Sequence, residues 1–278
     1  MQAYLRQRHH PSGERKTNVS HRTGKILAGR PLLNVMNIKL TIEYDGTNYQ
    51  GWQVQPNGVT IQEVLEQALG KILGVKSRLN GAGRTDAGVH ALAQEANFIC
   101  SGEFDLWRLQ RGLNALTPPD IVISEAVAVP DSFDARRDAR SRVYQYRIWN
   151  HSWPSPFYRR YSWHIHDPLN IAAMEEAIRF LEGEHDFASF QASGCDAAHS
   201  VRKVYGNSLR RQDKLLGYTI EATAYLRHMV RNIVGTLVEV GRGERAVDDF
   251  AELLMARDRT RAGPTAPPQG LFLMEVKY

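Results

Sequence analysis

Cysteine is scarce in this chain, with two residues, Cys100 and Cys195, among 278. They lie far apart and form no CxxC pair, which excludes a disulfide framework and a cysteine zinc site. His164 and His166 form an HxH pair, but no second ligand pair stands at metal spacing, so we expect no metal site. We interpret both cysteines as thiols in a reducing compartment. Cys195 has no evident base partner in the sequence, so we do not assign it as a nucleophile.

Long apolar runs are also lacking. No stretch approaches the roughly eighteen uncharged apolar residues of a membrane-spanning helix, and the N-terminal segment has no apolar core of a signal peptide. The hydrophobic content of 42% and the charged content of 23% are ordinary for a folded protein. We therefore expect a soluble protein without membrane contact, and we assign it to the cytoplasm.

The net charge of +5 does not by itself indicate a nucleic-acid partner. Residues 1–35 carry seven basic side chains and one acid, so residues 36–278 have a formal net charge of −1. Nearly all the excess positive charge thus lies in the N-terminal segment. If the rest of the chain binds RNA, it must use a local basic surface rather than its total charge.

Residues 1–35 are polar, basic and poor in large apolar side chains, and such a segment cannot bury enough surface to fold alone. We predict a disordered basic N-terminal extension there. Three interpretations stay open: a start site assigned too early, a natural disordered extension, or an Arg-rich, acid-poor transit peptide. We favour the first, with Met36 as the initiator, because Met36 directly precedes the first strand-like run, 38–44.

From Met36 onward, strand-like and helical patterns alternate in two halves. The patterns predict strands at 38–44, 94–99, 121–128, 142–149, 202–210, 218–224 and 271–278, and helices beginning at 61 and covering 106–113, 168–181 and 227–240. Thr60 and Glu63 form a capping box at the start of the first helix. Because each half begins with a strand, passes through a helix and returns to strands, we predict an α+β fold. Its two units would have mixed or antiparallel sheets.

The two predicted units are an N-terminal domain at 36–137, which carries a catalytic loop, and a C-terminal domain at 138–278, which completes the active site. Their boundary is placed near 135–141, with an error of several residues. A positively lined cleft between the two units is the expected place for a site.

The stretch at 81–91, GAGRTDAGVHA, is the most distinctive part of the chain. Its three glycines allow unusual backbone conformations and a close approach to a ligand, and Arg84, Thr85 and Asp86 stand between them. Loops of this kind on a rigid sheet commonly present a catalytic group. From these residues alone, a plainer interpretation is slightly favoured, in which Asp86 is a turn or cap residue and Arg84 is its surface partner.

The segment at 83–91, GRTDAGVHA, resembles without a gap the active-site signature of the A-type tRNA pseudouridine synthases. Other blocks that resemble this family follow in family order, at 43–46, 49–53, 114–116, 119–121, 133–136, 142–150, 183–190, 228–235 and 270–273. Only residues 1–35 lie outside the resemblance. The chain departs from the family pattern at Arg227 and at Tyr225, where a phenylalanine is common.

The resemblance implies a cofactor-free isomerase that converts uridine into pseudouridine at positions 38, 39 and 40 of the tRNA anticodon stem-loop. Asp86 would be its essential carboxylate, and whether Asp86 attacks the base, attacks the ribose or acts as a base stays open. Tyr144 would stack on the target base and accept the C5 proton, and Arg231 would pair with Asp86. Arg84 would fill the gap that the uridine leaves in the helix. The partners implied are tRNA and a second copy of the chain, as a homodimer.

His90 is interpreted as a structural histidine that closes the loop, although its ordinary pKa would suit acid–base chemistry. Candidate phosphate binders, chosen by charge and location only, are Arg108, Arg111, Arg136, Arg137, Arg140, Arg142, Arg202 and Lys203. Two other functions stay open: an RNA-binding module without catalysis, and a carboxylate-dependent hydrolase. The lack of a second signature carboxylate near Asp86 and of a Ser/His arrangement argues against the hydrolase.

Overall fold

A computed structural model of the chain describes residues 35–195 and 197–278. The predicted N-terminal extension lies outside these residues, apart from its last position. Within them, ten strands join one sheet and five α-helices accompany it. The strands are β1 (Val35–Tyr44), β2 (Asn80–Gly81), β3 (His90–Ser101), β4 (Ile121–Val129), β5 (Ser141–Asn150), β6 (Trp163–Ile165), β7 (Gly183–Asp186), β8 (Val201–Gln212), β9 (Leu215–Ala222) and β10 (Leu271–Lys277). The helices are α1 (Ile61–Leu73), α2 (Leu106–Leu116), α3 (Ile171–Ile178), α4 (Met229–Gly241) and α5 (Val247–Ala256).

The strands follow the order β4-β1-β3-β10-β5-β9-β8-β7, with β2 on β3 and β6 on β5. Two of these pairings are parallel, β10 with β3 and β6 with β5, and the others are antiparallel. The predicted α+β class with a mixed sheet is confirmed. The strands of the two halves are joined through β10 into one sheet, and the division into domains at 36–137 and 138–278 stays a prediction.

Local chemistry explains where most elements begin and which face they bury. In β1, Ile38, Leu40 and Ile42 alternate toward the core and are fully buried, as a strand with one buried face requires. Thr60 Oγ1 accepts a hydrogen bond from the Glu63 N–H (3.3 Å) and caps α1. Nearly every residue of α4 is buried, which explains its apolar sequence.

Some elements differ from the sequence-based prediction. The helix predicted at 168–181 ends as α3 at Ile178 and continues as a short 3-10 turn through Leu181. Helix α5 and the short strands β2, β6 and β7 were not predicted. No helix in the described part of the chain combines the length and the apolar character that a membrane span needs.

Candidate active site

The segment between β2 and β3, residues 82–89, is here named the glycine loop. Its backbone is held from two sides. The backbone N–H of Trp52 donates to the Thr85 carbonyl (3.1 Å), and the Gln94 side chain donates to the carbonyl of Gly83 (2.9 Å). Beneath the loop, the hydroxyls of Tyr44 and Thr85 share a buried hydrogen bond of 2.8 Å. These contacts fix the loop, so the side chain of Asp86 is presented from a defined position.

Gly51 lets a second segment lie directly against the glycine loop. It adopts a φ of +83°, and a Cβ atom there would lie 2.5 Å from the Thr85 carbonyl oxygen and 3.0 Å from the Asp86 carbonyl carbon. A larger residue would therefore have to displace the backbone that carries Asp86, and it would also be strained at this positive φ.

The carboxylate of Asp86 is bound by Arg231, which lies on the first turn of α4. Arg231 Nη1 donates to Asp86 Oδ2 (3.0 Å), and Arg231 Nε donates to the carbonyl of Ala266 (2.8 Å). The side chains of Arg231 and Asp86 are 12% and 27% exposed, so the pair is mostly but not fully shielded from water. The guanidinium is thus fixed by two directed contacts, and it orients the carboxylate.

His228 also contacts Asp86, and this contact was not predicted from the sequence. His228 Nε2 lies 3.5 Å from Asp86 Oδ2, and the residue adopts a left-handed conformation (φ 60°, ψ 6°) at the start of α4. Non-glycine residues in this conformation often occur at functional sites. The sequence did contain a signal for this contact. His228 and Arg231 are three residues apart at a helix start, and this spacing places two side chains next to each other on the helix surface.

Burial lowers the pKa of His228 below its ordinary value. The Asp86 carboxylate opposes this effect, while the guanidinium of Arg231 adds to it, as do those of Arg227 and Arg259. The imidazole is therefore neutral at pH 7. A neutral ring beside Asp86 can donate or accept a hydrogen bond, depending on which nitrogen carries the proton.

Tyr144 reaches the glycine loop from β5. Leu273 of β10 pairs with Tyr144 on one side and with Ala91 on the other, so a single strand separates Tyr144 from β3. The Tyr144 hydroxyl lies 3.9 Å from the position that a Cβ on Gly83 would take. Burial raises the pKa of Tyr144, and the Asp86 carboxylate raises it further. Tyr144 is therefore a neutral phenol at pH 7.

Arg84 is exposed in the glycine loop, two positions before Asp86. The structure thus brings the carboxylate of Asp86 together with Arg231 and His228, and it places Tyr144 against the same loop. Among the described residues, no group of three or more His, Cys, Asp or Glu side chains is arranged to hold a metal ion.

His90 is buried at the end of the glycine loop. Its Nδ1 accepts a hydrogen bond from the N–H of Gly46 (3.0 Å), and its Nε2 donates to the carbonyl of Arg160 (3.1 Å). Its ring stacks on Phe272, with the ring centres 4.7 Å apart. Burial lowers the pKa of His90. These contacts agree with the structural role assigned to His90 from the sequence.

Arg142 was predicted as a phosphate binder, and that prediction is wrong. It is 9% exposed, and its guanidinium donates to the carbonyls of Ala82 (2.7 Å), Arg136 (2.8 Å), Thr223 (2.8 Å) and Ala139 (3.2 Å). These carbonyls accept hydrogen bonds from the guanidinium N–H groups that would otherwise bind a phosphate. Arg142 therefore stabilises the glycine loop through its contact with Ala82. The remaining candidates are exposed or partly exposed: Arg108, Arg111, Arg136, Arg137, Arg140, Arg202 and Lys203.

A cavity of about 990 Å³ opens beside His228. Its lining includes three arginines, Arg227, Arg257 and Arg259, as well as the thiol of Cys195. The volume lies at the upper end of the range for small-ligand sites. The arginines make the lining suitable for an anionic group such as a phosphate.

Comparison with known proteins gives a consistent result. A family profile described as tRNA pseudouridine synthase matches residues 40–138 and 177–278. A tRNA pseudouridine synthase A from Myxococcus xanthus is 47% identical over 242 residues, which cover 87% of this chain and 91% of the relative. Another, from Geotalea uraniireducens, is 48% identical over 241 residues, covering 87% and 99%.

Proposed function

The chain belongs to the tRNA pseudouridine synthase family. We propose that it modifies uridines 38, 39 and 40 of the tRNA anticodon stem-loop, with Asp86 as the essential catalytic residue. As a member of this family it is an isomerase that acts on uridine in tRNA. The observation that carries the proposal is the Asp86 carboxylate, which a fixed loop presents and which Arg231 holds at 3.0 Å.

The chemistry fits the groups that meet at this site. Conversion of uridine to pseudouridine breaks the bond between C1′ of the ribose and N1 of the base, turns the base, and forms a bond between C1′ and C5. The proton on C5 is lost and N1 gains one, so the product is an isomer and no group donor is consumed. Such a reaction needs a positioned carboxylate and an acceptor for the C5 proton.

We assign the substrate-binding roles to Tyr144, Arg231 and Arg84. The ring of Tyr144 stacks on the target base, and its oxygen is the candidate acceptor of the C5 proton. Because Tyr144 is a neutral phenol, it gives up its own proton as it takes the C5 proton, and N1 is the atom that gains a proton in the product. Arg231 orients the Asp86 carboxylate. The exposed side chain of Arg84 enters the gap left by the displaced uridine and offsets part of the unstacking cost, which is a few kcal/mol.

The two roles of Tyr144 can be separated. Stacking needs only the aromatic ring, whereas proton transfer needs the oxygen. Tyr144→Phe keeps the ring and removes the oxygen. If the oxygen accepts the proton, this variant should bind tRNA with a wild-type Kd and lose most of its kcat; a wild-type kcat would remove that role from Tyr144.

The principal test measures pseudouridine in an unmodified tRNA transcript without added cofactor. The wild type is compared with Asp86→Asn and with Asp131→Asn, which removes the same charge at an exposed position. Carbodiimide mapping should show signal at positions 38, 39 and 40 for the wild type and Asp131→Asn, and none for Asp86→Asn. Signal from Asp86→Asn would overturn the catalytic role of Asp86, and signal elsewhere in the tRNA would overturn the positions. If no protein gives signal but tRNA binding is intact, the non-catalytic RNA-binding function is favoured.

Three further parts belong to the proposal: a homodimer, which rests on the family resemblance, and a cytoplasmic location and the two-domain division at 36–137 and 138–278, which rest on the composition and pattern of the sequence. Analytical ultracentrifugation measures the oligomeric state, and a monomer at micromolar concentration would contradict the first part. Limited proteolysis checks the third, since a domain boundary near 135–141 should be cut before the interior of either half.

A further inference from the structure

The connection between β5 and β6 exposes unusually large apolar side chains. We name residues 152–160 the aromatic loop. In it, Trp153 is 75% exposed and Phe157 is 85% exposed. Arg159 and Arg160 are exposed beside them, and the loop contains no acidic residue. Grouped exposed aromatic side chains of this size commonly mark a site of interaction.

The aromatic loop has a defined shape. The ring of Trp149 stacks on that of Tyr158, with centres 4.8 Å apart and planes inclined by 16°. Trp149 Nε1 also donates a hydrogen bond to the carbonyl of Trp153 (3.0 Å). These two contacts fix the loop that carries the exposed rings before any partner binds. Less conformational entropy is therefore lost when a partner binds to the loop.

The aromatic loop also lies close to the candidate active site. The carbonyl of Arg160 accepts a hydrogen bond from His90 (3.1 Å), and the hydroxyl of the next residue, Tyr161, donates to Asp45 (2.8 Å). His90 follows Asp86 by four positions, which span at most about 14 Å even when fully extended. An RNA stem-loop held at Asp86 is large enough to reach the aromatic loop.

A smaller cavity of about 220 Å³ opens at the base of the aromatic loop. The rings of Trp149, Tyr158 and Trp163 line it, together with Arg159 and Gln269. The volume is below the range of pockets that hold drug-sized ligands. Aromatic rings beside an arginine and an amide are the groups with which proteins stack and hydrogen-bond single unpaired bases.

We propose that the aromatic loop is a second RNA-contact surface, on which Trp153 and Phe157 stack against unpaired bases of the bound tRNA while Arg159 and Arg160 neutralise its phosphates. The identity of the RNA rests on the proposed function. Charge argues against a second copy of the chain as the occupant. In a two-fold contact a patch meets itself, which would bring the arginines of both copies together without an acid from either loop.

The stacking contribution is tested with the double variant Trp153→Ala/Phe157→Ala. Its control is Val75→Ala/Met255→Ala, which trims two other exposed apolar side chains, 62% and 83% exposed. Base stacking is lost on alanine substitution, so the Kd and the KM for unmodified tRNA should rise about tenfold or more. The kcat should stay within about twofold of wild type, because neither ring touches the reacting atoms. The control should leave all three constants unchanged.

The phosphate contribution is tested with Arg159→Ala/Arg160→Ala. Arg210 and Arg211 form a second pair of adjacent exposed arginines, and their double alanine variant is the matched control. Each lost phosphate contact should reduce the slope of log K against log salt concentration by about 0.7–0.9. We therefore expect the slope of the Arg159→Ala/Arg160→Ala variant to fall by about 1.5, and that of the control to stay unchanged.

Two outcomes would overturn the inference. In the first, both double variants match their controls in Kd, KM and salt slope. In the second, the aromatic variant changes the oligomeric state in analytical ultracentrifugation while the arginine variant keeps the wild-type salt slope, which would make the loop a contact between copies. A failure of the proposed function is distinguishable, because a wild type that binds tRNA but forms no pseudouridine still allows the Kd and salt slope to test the surface. Circular dichroism confirms that each variant is folded.

Discussion

Replacement of Arg231 by lysine tests the geometry of the candidate active site most directly. The guanidinium of Arg231 spans two partners, Asp86 Oδ2 at 3.0 Å and the Ala266 carbonyl at 2.8 Å. Lysine keeps the positive charge but offers a single ammonium group on a flexible stem, which does not reproduce the planar fork of arginine. Arg231→Lys therefore loses one of the two contacts, and the carboxylate loses its fixed orientation.

The size of the effect follows from these contacts. An unpaired buried acceptor costs about 1–3 kcal/mol, and Ala266 is fully buried. The side chain of Asp86 is 27% exposed, so water replaces part of what the carboxylate loses. We expect Arg231→Lys to lower the free energy of unfolding by about 1–2 kcal/mol. A catalytic group displaced by about 1 Å costs about 10²-fold in rate, so kcat should fall about a hundredfold.

The matched control is Arg245→Lys. Arg245 likewise spans a carboxylate and a carbonyl, with Nε 2.9 Å from Glu239 Oε2 and Nη2 2.8 Å from the Arg261 carbonyl oxygen. It should lose less stability in urea unfolding than Arg231→Lys, because water can replace the contact with the exposed Arg261 carbonyl, and it should keep its kcat. The assay follows release of tritium from a tRNA transcript labelled at C5 of uridine, because that hydrogen leaves when C5 becomes bonded to the ribose.

The comparison between the two variants shows whether the orientation of Asp86 by Arg231 contributes to the reaction. If Arg231→Lys loses no more kcat than Arg245→Lys while both are folded, the orientation of Asp86 by Arg231 does not contribute to the reaction. If KM rises and kcat is unchanged, Arg231 acts in binding alone.

Three other predictions concern the surroundings of Asp86. Gly51→Ala should lower the free energy of unfolding by about 1–3 kcal/mol and reduce kcat, because the new Cβ is strained at a positive φ and presses on the backbone that carries Asp86; a wild-type kcat with wild-type urea unfolding would contradict this. His228→Asn keeps a residue type that tolerates a left-handed conformation, so a loss of about two- to tenfold in kcat would report the missing contact with Asp86; an unchanged kcat would show that the contact is idle. Burial lowers the pKa of His90 in the folded state. As the pH falls, the unfolded state therefore takes up the proton first. The contribution of His90 to stability is thus complete above about pH 6.5 and is lost as the pH falls below that value. Urea unfolding at pH 7 and pH 5 should therefore show a larger loss for the wild type than for His90→Asn, and equal losses would refute it.

Much of the fold could be predicted from the sequence because the signals act over a few residues. The alternation of Ile38, Leu40 and Ile42 predicts a strand with one buried face, and β1 has that pattern. Thr60 predicts the start of α1, because its hydroxyl satisfies a backbone N–H that the first turn leaves unpaired. The strand predicted at 94–99 is shorter than β3, which spans His90–Ser101. The glycine-rich composition before Gln94 indicated a longer loop, whereas the glycine loop ends directly before His90.

The meeting of Asp86 with Arg231 could not be predicted from local patterns. The two residues are 145 positions apart, and the sheet that brings the two halves of the chain together depends on β10 lying between β3 and β5. The family resemblance indicated the pair, because it carried Arg231 over from a motif. It did not indicate that His228 contacts Asp86. That contact depends on the left-handed backbone conformation of His228, which the amino-acid type does not predict.

Arg142 illustrates how strand alternation and charge can give opposite predictions. Charge and location favoured a phosphate contact. The alternation of β5, however, places Arg142 on the same buried face as Tyr144, Tyr146 and Ile148, and this signal was present in the sequence. A buried guanidinium is stable only when its N–H groups are paired, and the backbone supplies four carbonyls there. One of them belongs to the glycine loop, so a cation predicted to bind the substrate instead supports the loop that presents Asp86.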